Sequence, residues 1–280
     1  LHQKRPDKDI LQQKEQSMDL QLTGKVALVT GASRGLGYAT AFALACEGCQ
    51  VAVNGRDANN AKIAAEKITS ETGTQAIGLA GDVSEVGVAE KLIEGTVNAF
   101  GGLDLLVTNA GGPPAGAFES FDEEAWQKAI DLSFTSHVRL IRVALPHLRE
   151  SDIPSVLTFT SYTVKQPLPN LVLSNSIRMA TIGLTKSLAL ELGRDGIRFN
   201  SILPAWTETE RVVELMTVRA TANKTTVQEE TAKQSAQSPL GRMGRPEEFA
   251  NAAVFLLSPA ASYITGVMLS VDGGMYKGTL

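Results

Sequence analysis

Seven short apolar runs punctuate the chain, at 26–30, 51–54, 76–80, 103–108, 155–160, 198–203 and 268–271, with stretches of helical pattern between them. Their apolar character is continuous rather than alternating, which predicts strands covered on both faces. Strands separated by helices predict parallel pairing through right-handed crossovers. The expected fold class is therefore α/β: one domain, a doubly wound parallel sheet of about seven strands, with helices on both faces. Residues 1–17, LHQKRPDKDILQQKEQS, break the pattern, being rich in charge and glutamine with little periodicity. They are expected to form a loose N-terminal extension, with Met18 a candidate natural start and 18–280 the folded domain. Between 207 and 237 the composition shifts to Thr, Glu, Lys, Gln and Ala. That predicts a polar helical insertion outside the core, read either as a lid over a cleft at the strands' carboxyl ends or as a solvated surface helix.

Composition narrows the partners. A chain of 280 residues that is 43% hydrophobic can fill one α/β core, so a second domain is not required. A formal charge of -4 argues against nucleic acid, whose phosphates call for a basic face. No run approaches the roughly 20 apolar residues that span a bilayer, and no tripartite leader opens the chain, so a soluble cytoplasmic protein with no membrane partner is expected. Cys46 and Cys49 form a C-x-x-C without a second Cys or His pair nearby, so both are expected to be buried small hydrophobes. His2, His137 and His147 are too scattered for a metal cluster, and no metal site is expected.

The sharpest chemical signal lies in Thr30-Gly31-Ala32-Ser33-Arg34-Gly35-Leu36-Gly37, set between the first strand and a helical pattern. Glycines at 31, 35 and 37 let the backbone turn sharply and approach a ligand, and the helix that follows offers unpaired N–H groups to a phosphate. A dinucleotide pyrophosphate site is the reading, with Gly31, Ser33, Arg34, Gly35, Leu36 and Gly37 as its candidate residues; an ordinary βα turn is the bland alternative.

Further motifs follow in order. These are Gly81-Asp82-Val83, Thr108-Asn109-Ala110-Gly111, Gly244-Arg245-Pro246-Glu247-Glu248, Ile264-Thr265-Gly266 and Val271-Asp272-Gly273-Gly274. Together with TGxxxGxG at 30–37 they make the chain resemble the short-chain dehydrogenase/reductase family from about Leu20 to Gly274, most like bacterial 3-oxoacyl-carrier-protein reductases and related sugar dehydrogenases. The resemblance implies a Rossmann-type fold, a nicotinamide dinucleotide and a small-molecule carbonyl or alcohol substrate. It assigns Asp82 and Val83 to the adenine side and Asn109, Ala110 and Gly111 to the riboses. Read from the residues alone, Asp82 is equally a turn or cap before Ser84.

Cofactor choice turns on charge. An acid after the second strand binds a ribose 2′-hydroxyl, whereas an arginine there accommodates a 2′-phosphate. Gly55 takes the acid's place, Arg56 follows, and Arg34 can add a second guanidinium. NADP (NADPH) is expected over NAD, which Asp57 would favour if it turned inward. Pro204-Ala205-Trp206-Thr207-Glu208-Thr209 resembles the family's PGxxxT segment and adds Pro204, Thr207 and Thr209 to the cofactor contacts, with Trp206 either walling the substrate pocket or filling core.

The catalytic positions depart from the family. Ser161 fits its carbonyl-orienting serine, but the family's Tyr and Lys, in the Y-x-x-x-K register, fall on Ser174 and Arg178, and its Asn falls on Ser133. A phenol starts near pKa 10 and an adjacent cation lowers it, whereas an alkyl hydroxyl is far less acidic. Arg178 still supplies charge and donors toward a nicotinamide ribose. Tyr162 and Lys165 are possible substitutes, although a residue next to an inward serine on an extended segment tends to face away. The leading reading is an NADP-dependent carbonyl reductase or alcohol dehydrogenase with an atypical acid/base site, using Ser161, Ser174 and Arg178. The alternative is a non-catalytic NADP-binding sensor or scaffold of the same fold, and an Arg178 clamp on an anionic substrate is a third. A homo-oligomer, tetrameric by resemblance, is expected, with 181–193 compatible with an interface.

Overall fold

A computed structural model of the chain describes residues 19–279; the extension at 1–17 and Met18 lie outside the described residues. All seven apolar runs are strands: β1 Val26–Val29, β2 Gln50–Gly55, β3 Ala76–Ala80, β4 Leu105–Thr108, β5 Ser155–Phe159, β6 Arg198–Pro204 and β7 Met268–Val271. They form one parallel sheet in the order β3-β2-β1-β4-β5-β6-β7. The fold is the doubly wound α/β class expected. Boundaries move by one or two residues where polar groups intervene: the carboxylate of Asp104 accepts the Val26 N–H at 2.7 Å, so β4 begins one residue after it.

The helices are α1 Gly35–Cys46, α2 Ala58–Thr72, α3 Val88–Phe100, α4 Glu123–Ile130, α5 Ser136–Leu148, α6 Val172–Leu192, α7 Glu210–Asn223, α8 Val227–Ser235 and α9 Pro246–Leu257. Successive strand residues point to opposite faces. Ala27, Val29, Val51, Val53, Leu105 and Val107 therefore meet α1 and α9 through Ala41, Leu44, Phe249, Ala253 and Leu257 on one side. Leu28, Ala52, Leu106, Val156 and Phe199 meet α3 and α5 through Leu92, Ile93, Leu140 and Ile141 on the other. Each fully buried Leu or Phe contributes about 1.5–3 kcal/mol.

Two local findings bear on the site. Between α4 and α5 the backbone widens into a π-helical turn over Asp131–Thr135, which carries Ser133; such turns recur at functional positions. The polar insertion is the α7–α8 pair, α8 starting from a capping box of Thr226 and Glu229. One expectation needs correcting: Cys49 is buried, its thiol pKa pushed up chiefly by burial, but Cys46 is exposed. It follows the buried Leu44 and Ala45 on α1, and the next step around the helix turns it outward.

Candidate functional site

Strand order reverses between β1 and β4, and the loops leaving their carboxyl ends meet across the resulting crevice. Thr30 ties the two loops: its hydroxyl donates to the Asn109 carbonyl at 2.8 Å, and the Asn109 N–H donates back to that hydroxyl at 2.8 Å. Asn109 Nδ2 donates to the Gly31 carbonyl at 3.0 Å. Gly31 and Gly35 have φ of 56° and 62°, a region that L side chains enter only with strain. A Cβ at Gly37 would collide with the Gly31 carbonyl oxygen. Glycine is thus required at the turn by two separate constraints, backbone sign and space.

Asn54, at the end of β2, braces the loop from below. Its Oδ1 accepts the Gly31 N–H at 3.2 Å, and its Nδ2 donates to Leu79 and Gly81 carbonyls at 3.2 and 3.0 Å. Nothing singled this residue out in the sequence except a polar side chain ending an apolar strand. α1 opens from Arg34 without a side-chain cap, so its first N–H groups face the crevice uncapped by a side chain. Ser33 lies against Gly55, where a Cβ would come within 2.9 Å of it. Leu36 packs on the core below the loop.

Charge is distributed unevenly at the far end. Arg34 and Arg56 are exposed, and Arg34 Nη1 lies 3.3 Å from the Glu214 carboxylate of α7. Asp57 does not turn toward the crevice: its Oδ1 accepts the Asn60 N–H at 2.8 Å as the cap of α2. Asp82 Oδ1 accepts from the Ser84 N–H and hydroxyl at 2.9 and 2.6 Å, so the turn role is real. The Val83 side chain is core, Ala110 packs against the same cluster, and the space beside Gly111 is open.

At the end of β5, Ser161 is partly exposed and its Oγ accepts the Thr163 N–H at 3.2 Å. Arg178, on α6, reaches the same place: Nη1 donates to the carbonyls of Thr160 at 3.0 Å and Phe159 at 3.3 Å. Its Nη2 points toward Gly112, 3.7 Å from where a Cβ would stand. Burial lowers the guanidinium to about 10, which leaves it charged at neutral pH. Ser174, one turn earlier on the same face, is partly buried. Ser133 Oγ, Thr160 Oγ1, Thr163 Oγ1 and Arg178 Nε are buried without a partner among the described residues. Beneath them, His137 Nδ1 and Thr108 Oγ1 are 2.6 Å apart. Burial, with a smaller contribution from Arg178, pushes His137 down to about 3, so it is a neutral core histidine.

Tyr162 faces away from Ser161. It is 5% exposed, its hydroxyl meets the Trp206 side chain, and Arg219 of α7 stacks over the Trp206 ring at 4.8 Å. Burial raises its phenol more than Trp206 and Arg219 lower it. Lys165 instead lies over the Tyr276 ring at 5.3 Å. Past Pro204, Thr207 is buried against Gly244, whereas Thr209 sits over the glycine loop, its Cγ2 3.9 Å from a Cβ built at Gly35. A family model described as enoyl-(acyl carrier protein) reductase matches residues 31–276, spanning every element just described except β1. The chain belongs to the short-chain dehydrogenase/reductase family.

Its relatives in that family are named dehydrogenases and reductases, and the chain is an oxidoreductase of that class. It is 34% identical to the 3-oxoacyl-(acyl-carrier-protein) reductase FabG of Aquifex aeolicus over 265 residues, 92% of this chain and 100% of that one. It is 33% identical to the short chain dehydrogenase/reductase astE of Aspergillus oryzae, over 93% of this chain and 97% of that one. L-sorbose reductase from Gluconobacter frateurii, solved with NADPH and L-sorbose, superposes with a TM-score of 0.90 at 31% identity, covering 93% of this chain and 100% of that one. Among the described residues no helix is long and apolar enough to cross a membrane, and no group of His, Cys, Asp and Glu is arranged to hold a metal.

Proposed function

We propose that the chain is an NADP-dependent reductase of carbonyl compounds, or the reverse alcohol dehydrogenase, with an atypical acid/base site. The observation that carries the cofactor choice is at the second strand: Asp57 is spent capping α2, while Arg56 after that strand and Arg34 in the glycine loop are exposed and suited to a 2′-phosphate. The cradle fits a dinucleotide, since the glycine turn, the α1 N-terminus without a side-chain cap and the open space beside Gly111 leave room and donors for phosphates and riboses. Gly31, Ser33, Gly35, Leu36 and Gly37 would hold the pyrophosphate, Arg34 and Arg56 the 2′-phosphate, Asp82 and Val83 the adenine, Asn109, Ala110 and Gly111 the riboses, and Arg178, Pro204, Thr207 and Thr209 the nicotinamide end.

When bound, the reduced nicotinamide supplies the hydride. Ser161 orients the carbonyl by donating its hydroxyl proton to the substrate oxygen, and the charged Arg178 stabilises negative charge growing there. Ser174 is a weak proton source, because its hydroxyl lacks the acidity of a phenol, so a slow proton step is expected. A homo-oligomer built through α6 is part of the proposal.

The absence of a phenol at 174 also favours a second reading, an NADP-binding protein without turnover. Titration with NADPH and NADH, followed by NADPH oxidation over a panel of ketones, aldehydes and 3-oxoacyl thioesters, separates the two. Binding with turnover supports the reductase; tight NADPH binding with no turnover on the panel supports the sensor or scaffold.

A further inference from the structure

The helix that covers the glycine loop brings its own anions to it. Glu210 and Glu214, one turn apart on α7, lie on the side that faces α1. Glu210 Oε2 is 4.0 Å from the position of a Cβ at Gly35, the first residue of α1. Glu214 takes Arg34 itself, Oε1 to Nη1 at 3.3 Å, and its other oxygen is 3.6 Å from Arg211 of its own helix. Elsewhere α7 stands off α1 across a cavity of about 720 Å³, with Tyr38 and Phe42 on one wall and Val213 on the other. Contacts at one end thus join α7, read here as the lid, to the loop, and among the described residues the Arg34–Glu214 pair is the one that joins opposite charges.

We propose that Glu214 is a positioning residue for cofactor selection. Its carboxylate holds Arg34 in the free protein and must surrender it to the 2′-phosphate of NADP, so lid and phosphate compete for one guanidinium. A guanidinium pairs with carboxylate and phosphate through the same donors, and a phosphate dianion is the stronger acceptor. A dinucleotide lacking the 2′-phosphate leaves the Arg34–Glu214 pair in place. The lid is therefore released from the loop by NADPH and not by NADH. This inference rests on the NADP reading above.

Dissociation constants for NADPH and NADH, measured at low ionic strength on the wild type, Glu214→Gln, Glu214→Asp, Arg34→Ala, Arg56→Ala and the Arg34→Ala/Glu214→Gln double variant, test it. Glu214→Gln is expected to tighten NADPH about two- to fivefold, the factor an exposed ion pair supplies, and to leave NADH unchanged. Glu214→Asp keeps the charge and stays near the wild type, and in the Arg34→Ala background Glu214→Gln is silent. An equal shift for both cofactors, weaker NADPH binding, or an effect that survives loss of Arg34 overturns the proposal. If wild type prefers NADPH and Glu214→Gln changes nothing, this inference alone falls. If wild type shows no preference and neither arginine variant alters NADPH binding, the NADP reading falls with it.

Discussion

Arg178 Nη1 donates to the Thr160 carbonyl at 3.0 Å, which ties a charged side chain of α6 to the backbone immediately before Ser161. The pairing matters to the proposed mechanism, in which Arg178 and Ser174 take the places of the family's Lys and Tyr, so that the site keeps charge and lacks an acidic hydroxyl.

Restoring the phenol and the ammonium together is therefore expected to accelerate reduction. Ser174→Tyr with Arg178→Lys should raise kcat for a ketone or 3-oxoacyl thioester by at least about a hundredfold, the lower end of what a positioned general acid supplies. The check is steady-state NADPH oxidation; an unchanged kcat with unchanged KM would place the slow step elsewhere.

Arg56 is exposed beside a cap-bound Asp57, so its charge is available to a phosphate. Arg56→Ala should weaken NADPH roughly tenfold, as expected for losing a charge-assisted hydrogen bond, while NADH binding stays level. Fluorescence titration reads both, and equal losses would remove the phosphate assignment.

Gly37 is a steric test of the loop. Its Cβ would strike the Gly31 carbonyl, so Gly37→Ala forces backbone to move. An overpacking cost of about 1–3 kcal/mol predicts a Tm at least ~2 °C lower, with weaker dinucleotide binding. A Tm and an NADPH affinity both equal to wild type would show that the turn relaxes freely.

His137 sets an acid limit. Its folded pKa of about 3 lies below the unfolded value near 6.5, so the unfolded chain takes up the proton first. The stability it contributes is complete above about pH 6.5 and is lost progressively as pH falls toward 3. Denaturant unfolding from pH 7 to 4 should show a smaller acid loss in His137→Gln than in wild type; parallel profiles would assign the loss to other groups.

The solvent face of α6 carries Met179 and Leu190, which are 52% and 75% exposed, beside the exposed Ala180 and Gly183. If this face joins subunits, Leu190→Arg lowers the mass measured by light scattering. A wild-type monomer, or an unchanged oligomer in the variant, would exclude α6 as the interface.

Much of this was legible along the chain. The continuous apolar runs were enough to find all seven strands, because strands covered on both faces are mostly apolar at every position rather than at alternate ones. The glycine spacing located the tight turn between β1 and α1, because left-handed backbone and close approach admit no other residue at low cost. Asn54 and the His137–Thr108 pair were not legible, since single polar residues in apolar runs carry no sign of which distant backbone group they will meet. Asp57 shows the same limit in reverse: its identity could not say whether it turned inward, and only the start of α2, which it caps, shows that it does not.

What the sequence determined by itself is the set of local preferences: strand, turn and helix order, the glycine loop, and the identities Ser174 and Arg178 in the register where the resemblance leads one to expect a phenol and an ammonium. Tertiary structure alone decided the pairings. It set Asp57 on α2, Arg178 on the end of β5, Tyr162 toward Trp206, and Glu214 on Arg34, 180 residues away in the chain. Periodicity records which face of an element is buried. Long-range partners are fixed only when the sheet order brings distant loops to one edge and the side chains there compete for the same donors.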